Sequence, residues 1–181
     1  CGEIGAQICD NCFFDIELTP REQCIFCDSL LVGLQCRQCL DLAGVTQVVL
    51  AERDGVLQRL VDEYKFACKR AAYSQVAKCF DAAAPIFPGL IHIVPLPTST
   101  THIRRRGFDH TSDFSGAFAR LRGYNYTPLL ARRHNKAQVG ATAAKRKRQA
   151  DTAFVMRAKR LDQDALYVAV SYTHLTLPTS D

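Results

Sequence analysis

The chain has 181 residues, 48% hydrophobic and 23% charged, which excludes a chain too small or too polar to bury the core of an ordinary domain with a small appendage. No run of eighteen apolar residues occurs, so a spanning helix is excluded, and the opening CGEIGAQICDNC has neither a charged leader nor an apolar signal core; a soluble, cytoplasmic protein is expected. The net charge of +5 hides an asymmetry: residues 1–60 carry four Lys/Arg against nine Asp/Glu, and residues 101–160 carry fifteen against three.

A field of that sign reaches over about 8 Å at physiological salt and predicts an anionic partner for the basic half. Solubility alone is the plainer reading. It does not call for single-sign clusters such as Arg104-Arg105-Arg106 and Lys145-Arg146-Lys147-Arg148.

At the N-terminus, three of the Cys-x-x-Cys kind stand in order: Cys9 with Cys12, Cys24 with Cys27, and Cys36 with Cys39. Each pair puts two thiolates on one tight turn, and two facing turns supply the tetrahedral sulfur shell that zinc favours. Cys24, Cys27, Cys36 and Cys39 make one complete set. Cys9 and Cys12 lack a second pair, but Cys1-Gly2 nearly repeats the spacing of the complete site, so residues 1–44 are expected to hold two zinc ribbons, the first missing a cysteine upstream. The expected ligands are Cys1, Cys9, Cys12, Cys24, Cys27, Cys36 and Cys39. A disulfide framework is the alternative; it suits secreted chains, and three copies of the pair argue for ligation over redox exchange. Four thiolates leave no open coordination position, so the zinc would be structural.

From Asp54 the period changes. Val56, Leu57, Leu60, Val61, Tyr64, Cys68, Ala71 and Ala72 recur at three and four residue steps and predict one long helix with these residues buried, Cys79 among them further on, and Lys65, Lys69 and Arg70 off the stripe. LIHIV follows as a strand, which Pro95 and Pro97 close into a loop. That loop runs to Gly107 and carries the three arginines. FDHTSDFSGAFARL predicts a further helix with Phe108, Phe114, Ala117, Phe118 and Leu121 inward, and Ala165–Val170 is a last apolar run. Strand, loop, helix is the α/β unit in which ligands lie at the carboxyl ends of strands.

IVPLPTSTTHIRRRGFDH resembles the signature of the ComF family, in which a double zinc ribbon precedes a phosphoribosyltransferase-like domain. Tyr64-Lys65-Phe66, Gln138, Arg146 and Phe154 fall at that family's further motif positions, and the similarity runs from Cys1 to about Val170. Asp109, His110 and Gln149 stand where the family pattern has Asn, Gln and Asn, and an acid at 109 could form an internal ion pair with the arginines. The resemblance implies an α/β fold with the parallel sheet of type I phosphoribosyltransferases over residues 45–169, and a role in competence and DNA uptake beside competence-machinery proteins. It implies a phosphoribosyl pyrophosphate-type ligand, with Mg²⁺, in a full-length form.

Family members continue with paired acids and a Thr-Thr-Gly loop. VSYTHLTLPTS has neither and looks like translated adapter sequence, so 170–181 is expected to be a non-native tail and the chain a fragment without transferase activity. The candidate phosphate or nucleic-acid contacts are Lys65, Arg104, Arg105, Arg106, Gly107, Arg133 and Arg146. Guanidinium forks match phosphate oxygens bidentately, which suits either a phosphorylated sugar or single-stranded DNA. Tyr124 and Tyr126 are the candidate stacking aromatics for the second ligand, or plain core packing. His92, His102 and His134 form no recognisable catalytic base, and no catalytic residue is assigned.

Overall fold

The computed structural model describes residues 7–23, 29–30, 47–52, 54–133, 153–158 and 160–171. Short elements come first: helix α1 (Asp10–Phe14), then strand β1 (Arg21–Gln23) paired antiparallel with β2 (Gln47–Val49). Ile16, just past α1, belongs to the same buried cluster as Leu60, Val61 and Tyr64, and Ile8, Phe13 and Leu18 pack against that cluster. The segment carrying Cys9 and Cys12 therefore shares its core with the helices that follow.

Two helices stand where the period predicts one: α2 (Gly55–Lys65) and α3 (Tyr73–Ala83), with a 3₁₀ turn at Arg70–Ala72. The break has a tertiary cause. The Lys65 carbonyl, which the next helical turn would use, accepts from the Arg106 side chain, while the Lys69 amide donates back to the Glu63 carbonyl at 3.0 Å. Cys68 consequently takes a left-handed conformation (φ 57) and is exposed with Ala71, against the buried positions expected for both. Cys79 is buried as expected, and burial pushes its thiol up to about 11.

β3 (Leu90–Pro95) is the centre of a three-stranded sheet in the order β4-β3-β7, with β4 at Asn125–Tyr126 and β7 at Ala165–Val170. Both neighbours run parallel to it, Leu90 facing Ala165 and Pro95 facing Val170 in the longer ladder. The chain is thus a mixed α/β protein with a parallel sheet. β5 (Leu130–Arg132) and β6 (Phe154–Met156) form a separate antiparallel pair.

Between β3 and β4 lie α4 (Thr100–Arg106) and α5 (His110–Arg122). α5 packs on α3 and on the sheet through Phe114 and Phe118, which meet Phe80 at ring-centre distances of 4.9 and 6.1 Å. Each fully buried aromatic of this kind contributes about 2–3 kcal/mol. Leu121 is the exception to the expected inward stripe; it is exposed near the end of the helix.

Candidate anion-binding site

Pro95 ends β3, and residues 96–99 carry the chain off the carboxyl end of the sheet's central strand. The three arginines expected in a loop here sit on a helix instead. Ser99 caps α4 by accepting from the His102 amide, and Gly107, at φ 82, closes it in the left-handed conformation that glycine adopts without a Cβ penalty. Gly107 thus serves the backbone turn. Three cations in the last turn are compatible with the negative end of the helix dipole.

Helical geometry separates the arginines. Arg104 and Arg105 are exposed, whereas Arg106 is only 8% exposed. The Arg106 Nε donates to the Lys65 carbonyl at 2.7 Å and its Nη1 to His110 Nδ1 at 2.6 Å, so this side chain ties α4 and α5 to the end of α2. Arg106 is therefore an internal clamp, in contrast to its expected place facing a ligand. Burial, then the neighbouring Arg105 cation, pulls its guanidinium below its ordinary value.

The clamp also settles the state of His110. A guanidinium has only donors, so Nδ1 must accept, and the proton of the neutral ring lies on Nε2. Burial, followed by the Arg106 and Lys65 charges, pushes this imidazole down to about 3. The Tyr64 hydroxyl donates to the His110 carbonyl at 2.6 Å, and burial drives the phenol upward. Sequence reading noted His110 only as a departure from a family pattern; its pairing with Arg106 at the i−4 position is the signal that could have found it.

Asp109 does not reach for the arginines. It caps α5, accepting from the Thr111 and Ser112 amides at 3.1 and 3.4 Å and from the Thr98 hydroxyl at 2.8 Å. Asp113 is taken by Arg70, which approaches it with two nitrogens at 2.7 and 3.1 Å. With Glu63 holding Lys69, the nearby acids are committed elsewhere. Among the described residues, Arg104 and Arg105 have no carboxylate within ion-pair distance.

At His102 of α4, partial burial first and then the Arg106, Arg105, Lys65 and Arg132 charges lower the affinity for a proton. Lys65 is half-buried, its ammonium 5.3 Å from the centre of the Phe66 ring. Arg133 is exposed at the end of β5, its amide donating to the Ala153 carbonyl at 2.8 Å. Arg146 lies outside the described residues.

The two candidate stacking tyrosines are engaged by protein. Tyr124 packs beside Phe87 and Phe118 and accepts from the Phe87 amide, and the Tyr126 hydroxyl pairs with Ser112 at 2.6 Å. His92 stacks on Tyr167 and meets the Thr127 hydroxyl at 2.8 Å, in keeping with a structural role.

Of the expected zinc ligands, Cys9 and Cys12 are described; both are part-exposed, Cys9 at the N-cap of α1 and Cys12 on its first turn. That pair has the donor chemistry of half a thiolate shell. Cys1, Cys24, Cys27, Cys36 and Cys39 lie outside the described residues, and among the described ones no group of three or more His, Cys, Asp or Glu could hold a metal. No described helix is long and apolar enough to cross a membrane. The chain matches no described protein family, no curated protein and no solved structure.

Proposed function

We propose that this chain is a ComF-like protein whose α/β part, built on a type I phosphoribosyltransferase plan, binds in a full-length form a phosphorylated sugar of the phosphoribosyl pyrophosphate class. The observation that carries the reading is the placement of Arg104 and Arg105. They stand in solvent on a helix at the carboxyl end of the central parallel strand, without acid partners among the described residues. Guanidinium groups at such a strand end suit phosphate oxygens, and the surrounding positive surface raises the local concentration of anions. Mg²⁺ would arrive with the pyrophosphate. In this reading the cysteine segment holds structural zinc, with Cys9 and Cys12 as two of its ligands, and association with competence-machinery proteins belongs to the same proposal.

Calorimetric titration of a full-length form with phosphoribosyl pyrophosphate and Mg²⁺ tests it. Binding should appear, and Arg104→Ala with Arg105→Ala should weaken it by about tenfold to a hundredfold, as for charge-assisted hydrogen bonds worth about 1.5–3 kcal/mol. Unchanged binding in the double variant would make the exposed arginines bystanders. No heat with the unsubstituted full-length form would remove the ligand class.

A further inference from the structure

Four hydroxyls in a row, on Thr98, Ser99, Thr100 and Thr101, lead from the end of β3 into α4. The first two are in use. The Thr98 hydroxyl donates to Asp109 at 2.8 Å, and Ser99 is buried and accepts from the His102 amide at 3.3 Å. Thr100 and Thr101 are exposed in the first turn of the helix, and helical geometry distinguishes between them. At about 100° per residue, Arg104 falls about 60° to one side of Thr101 and Arg105 about 40° to the other, whereas Arg106 lies about 140° away. The exposure of Arg104 and Arg105 and the burial of Arg106 follow that wheel. Thr100 has Arg104 alone on its flank.

Residues three and four apart on a helix are neighbours, with Cβ atoms about 5–6 Å apart, and long side chains lean back toward the helix N-terminus. Both guanidinium groups are thus within reach of a group carried on Thr101. Neither has a carboxylate within ion-pair distance among the described residues, and with Arg106 they make a run of like charge. A hydroxyl does nothing to relieve that charge. A phosphoryl group in its place brings between about 1.5 and 2 negative charges at neutral pH and three acceptor oxygens, enough to meet both forks.

We infer that Thr101 is a phosphorylation site and that Arg104 and Arg105 hold its phosphate. A threonine kinase moves the γ-phosphoryl group of a nucleoside triphosphate to Thr101 Oγ1. The bond from the γ-phosphorus to its bridging oxygen breaks, the nucleoside diphosphate leaves with that electron pair, the new O–P bond forms, and the hydroxyl proton passes to a base on the kinase. The arginines stand three to five residues after the acceptor, a charge pattern that suits a kinase with an acidic substrate groove. α4 is seven residues of weak local preference, so its first turn opens at low cost for the transfer. Where Arg104 and Arg105 are the ligand contacts proposed above, the modification switches that site off by filling it from within; this consequence alone rests on that reading.

Incubation of the chain with ATP, Mg²⁺ and threonine kinases that select basic residues after the acceptor, followed by mass spectrometry, tests the site. Phosphate should appear on Thr101 in preference to Thr100, Thr101→Ser should accept it, and Arg104→Ala with Arg105→Ala should lose most of the labelling. The chain made with phosphothreonine at position 101 is then titrated by ³¹P NMR, folded and in urea. Its phosphate should titrate about one unit lower in the folded chain than in urea, where the value is about 6, and the double arginine variant should remove the difference. Inorganic pyrophosphate should bind the phosphorylated chain at least about tenfold more weakly than the unmodified one. Four results would overturn the inference: no labelling of Thr101 by any of these kinases; preferential labelling of Thr100; a phosphate that titrates alike in the folded and unfolded chain; or equal binding of pyrophosphate by both forms. If neither form binds pyrophosphate, the ligand reading of Arg104 and Arg105 loses its support, whereas the labelling and the titration still decide the modification.

Discussion

Arg106 and His110 show how one side chain can be drawn out of a row of identical neighbours. Its fork meets a backbone carbonyl at 2.7 Å and an imidazole nitrogen at 2.6 Å, both acceptors, so the pair is stable only while His110 is neutral. The ring titrates near 6.5 when unfolded and is pushed down to about 3 when folded, so the unfolded chain binds the extra proton between those values. Stability from this site is therefore complete above about pH 6.5 and is lost as pH falls toward 3, by up to about 1.4 kcal/mol per unit. Thermal melts from about pH 4 to about pH 7 should show this acid limb, and His110→Gln should flatten it. Arg106→Ala should cost about 1–3 kcal/mol by removing the hydrogen bonds that join α4 to α2 and α5. The sequence carried the four-residue spacing of Arg106 and His110 but not the burial. An arginine's burial depends on partners supplied by another helix, and in RRRG nothing distinguishes the third arginine from the first two.

At the level of elements, the strand and the long helix were legible and the short helix was not. LIHIV closed by two prolines marks β3, and Asp109 and Gly123 mark the ends of α5 by side-chain capping and a left-handed turn at φ 67. α4 has seven residues, two of them β-branched threonines and three of them like charges, so local preference argues against it. Its caps, and the burial of Arg106, decide the matter. Asn caps a helix about as well as Asp, so position 109 should tolerate either. Asp109→Ala should destabilise by about 1 kcal/mol and Asp109→Asn by much less, read as a difference of about 2–4 °C in melting temperature. The merging of α2 and α3 into one expected helix has the same origin as the missed clamp. Periodicity reads faces, and it does not register that the Lys65 carbonyl has been claimed from outside.

For the whole molecule, the charge asymmetry and the α/β plan could be read from the chain, while the packing of the cysteine segment could not. Residues 1–44 read as a separate module, yet Ile16 is 8% exposed within the core that contains Leu60, Val61 and Tyr64. Zinc held by Cys9 and Cys12 would then stabilise more than its own segment. Metal analysis should return about one to two zinc ions per chain. Stripping them with a chelator should lower a single unfolding transition observed by aromatic signals from the α/β core, with no separate early transition for the cysteine segment. Two resolved transitions would show that the apolar contact through Ile16 is too weak to couple them.

The order of the strands bears on how the chain assembles during synthesis. The longer ladder of β3 joins Leu90–Pro95 to Ala165–Val170, so synthesis must run about seventy residues past β3 before that edge is covered. Until then a strand with Ile91, Ile93 and Val94 at its heart carries an open row of backbone donors and acceptors, and closing so distant a pairing is slow. The nascent chain is thus most vulnerable to aggregation in the interval between the emergence of β3 and the arrival of β7.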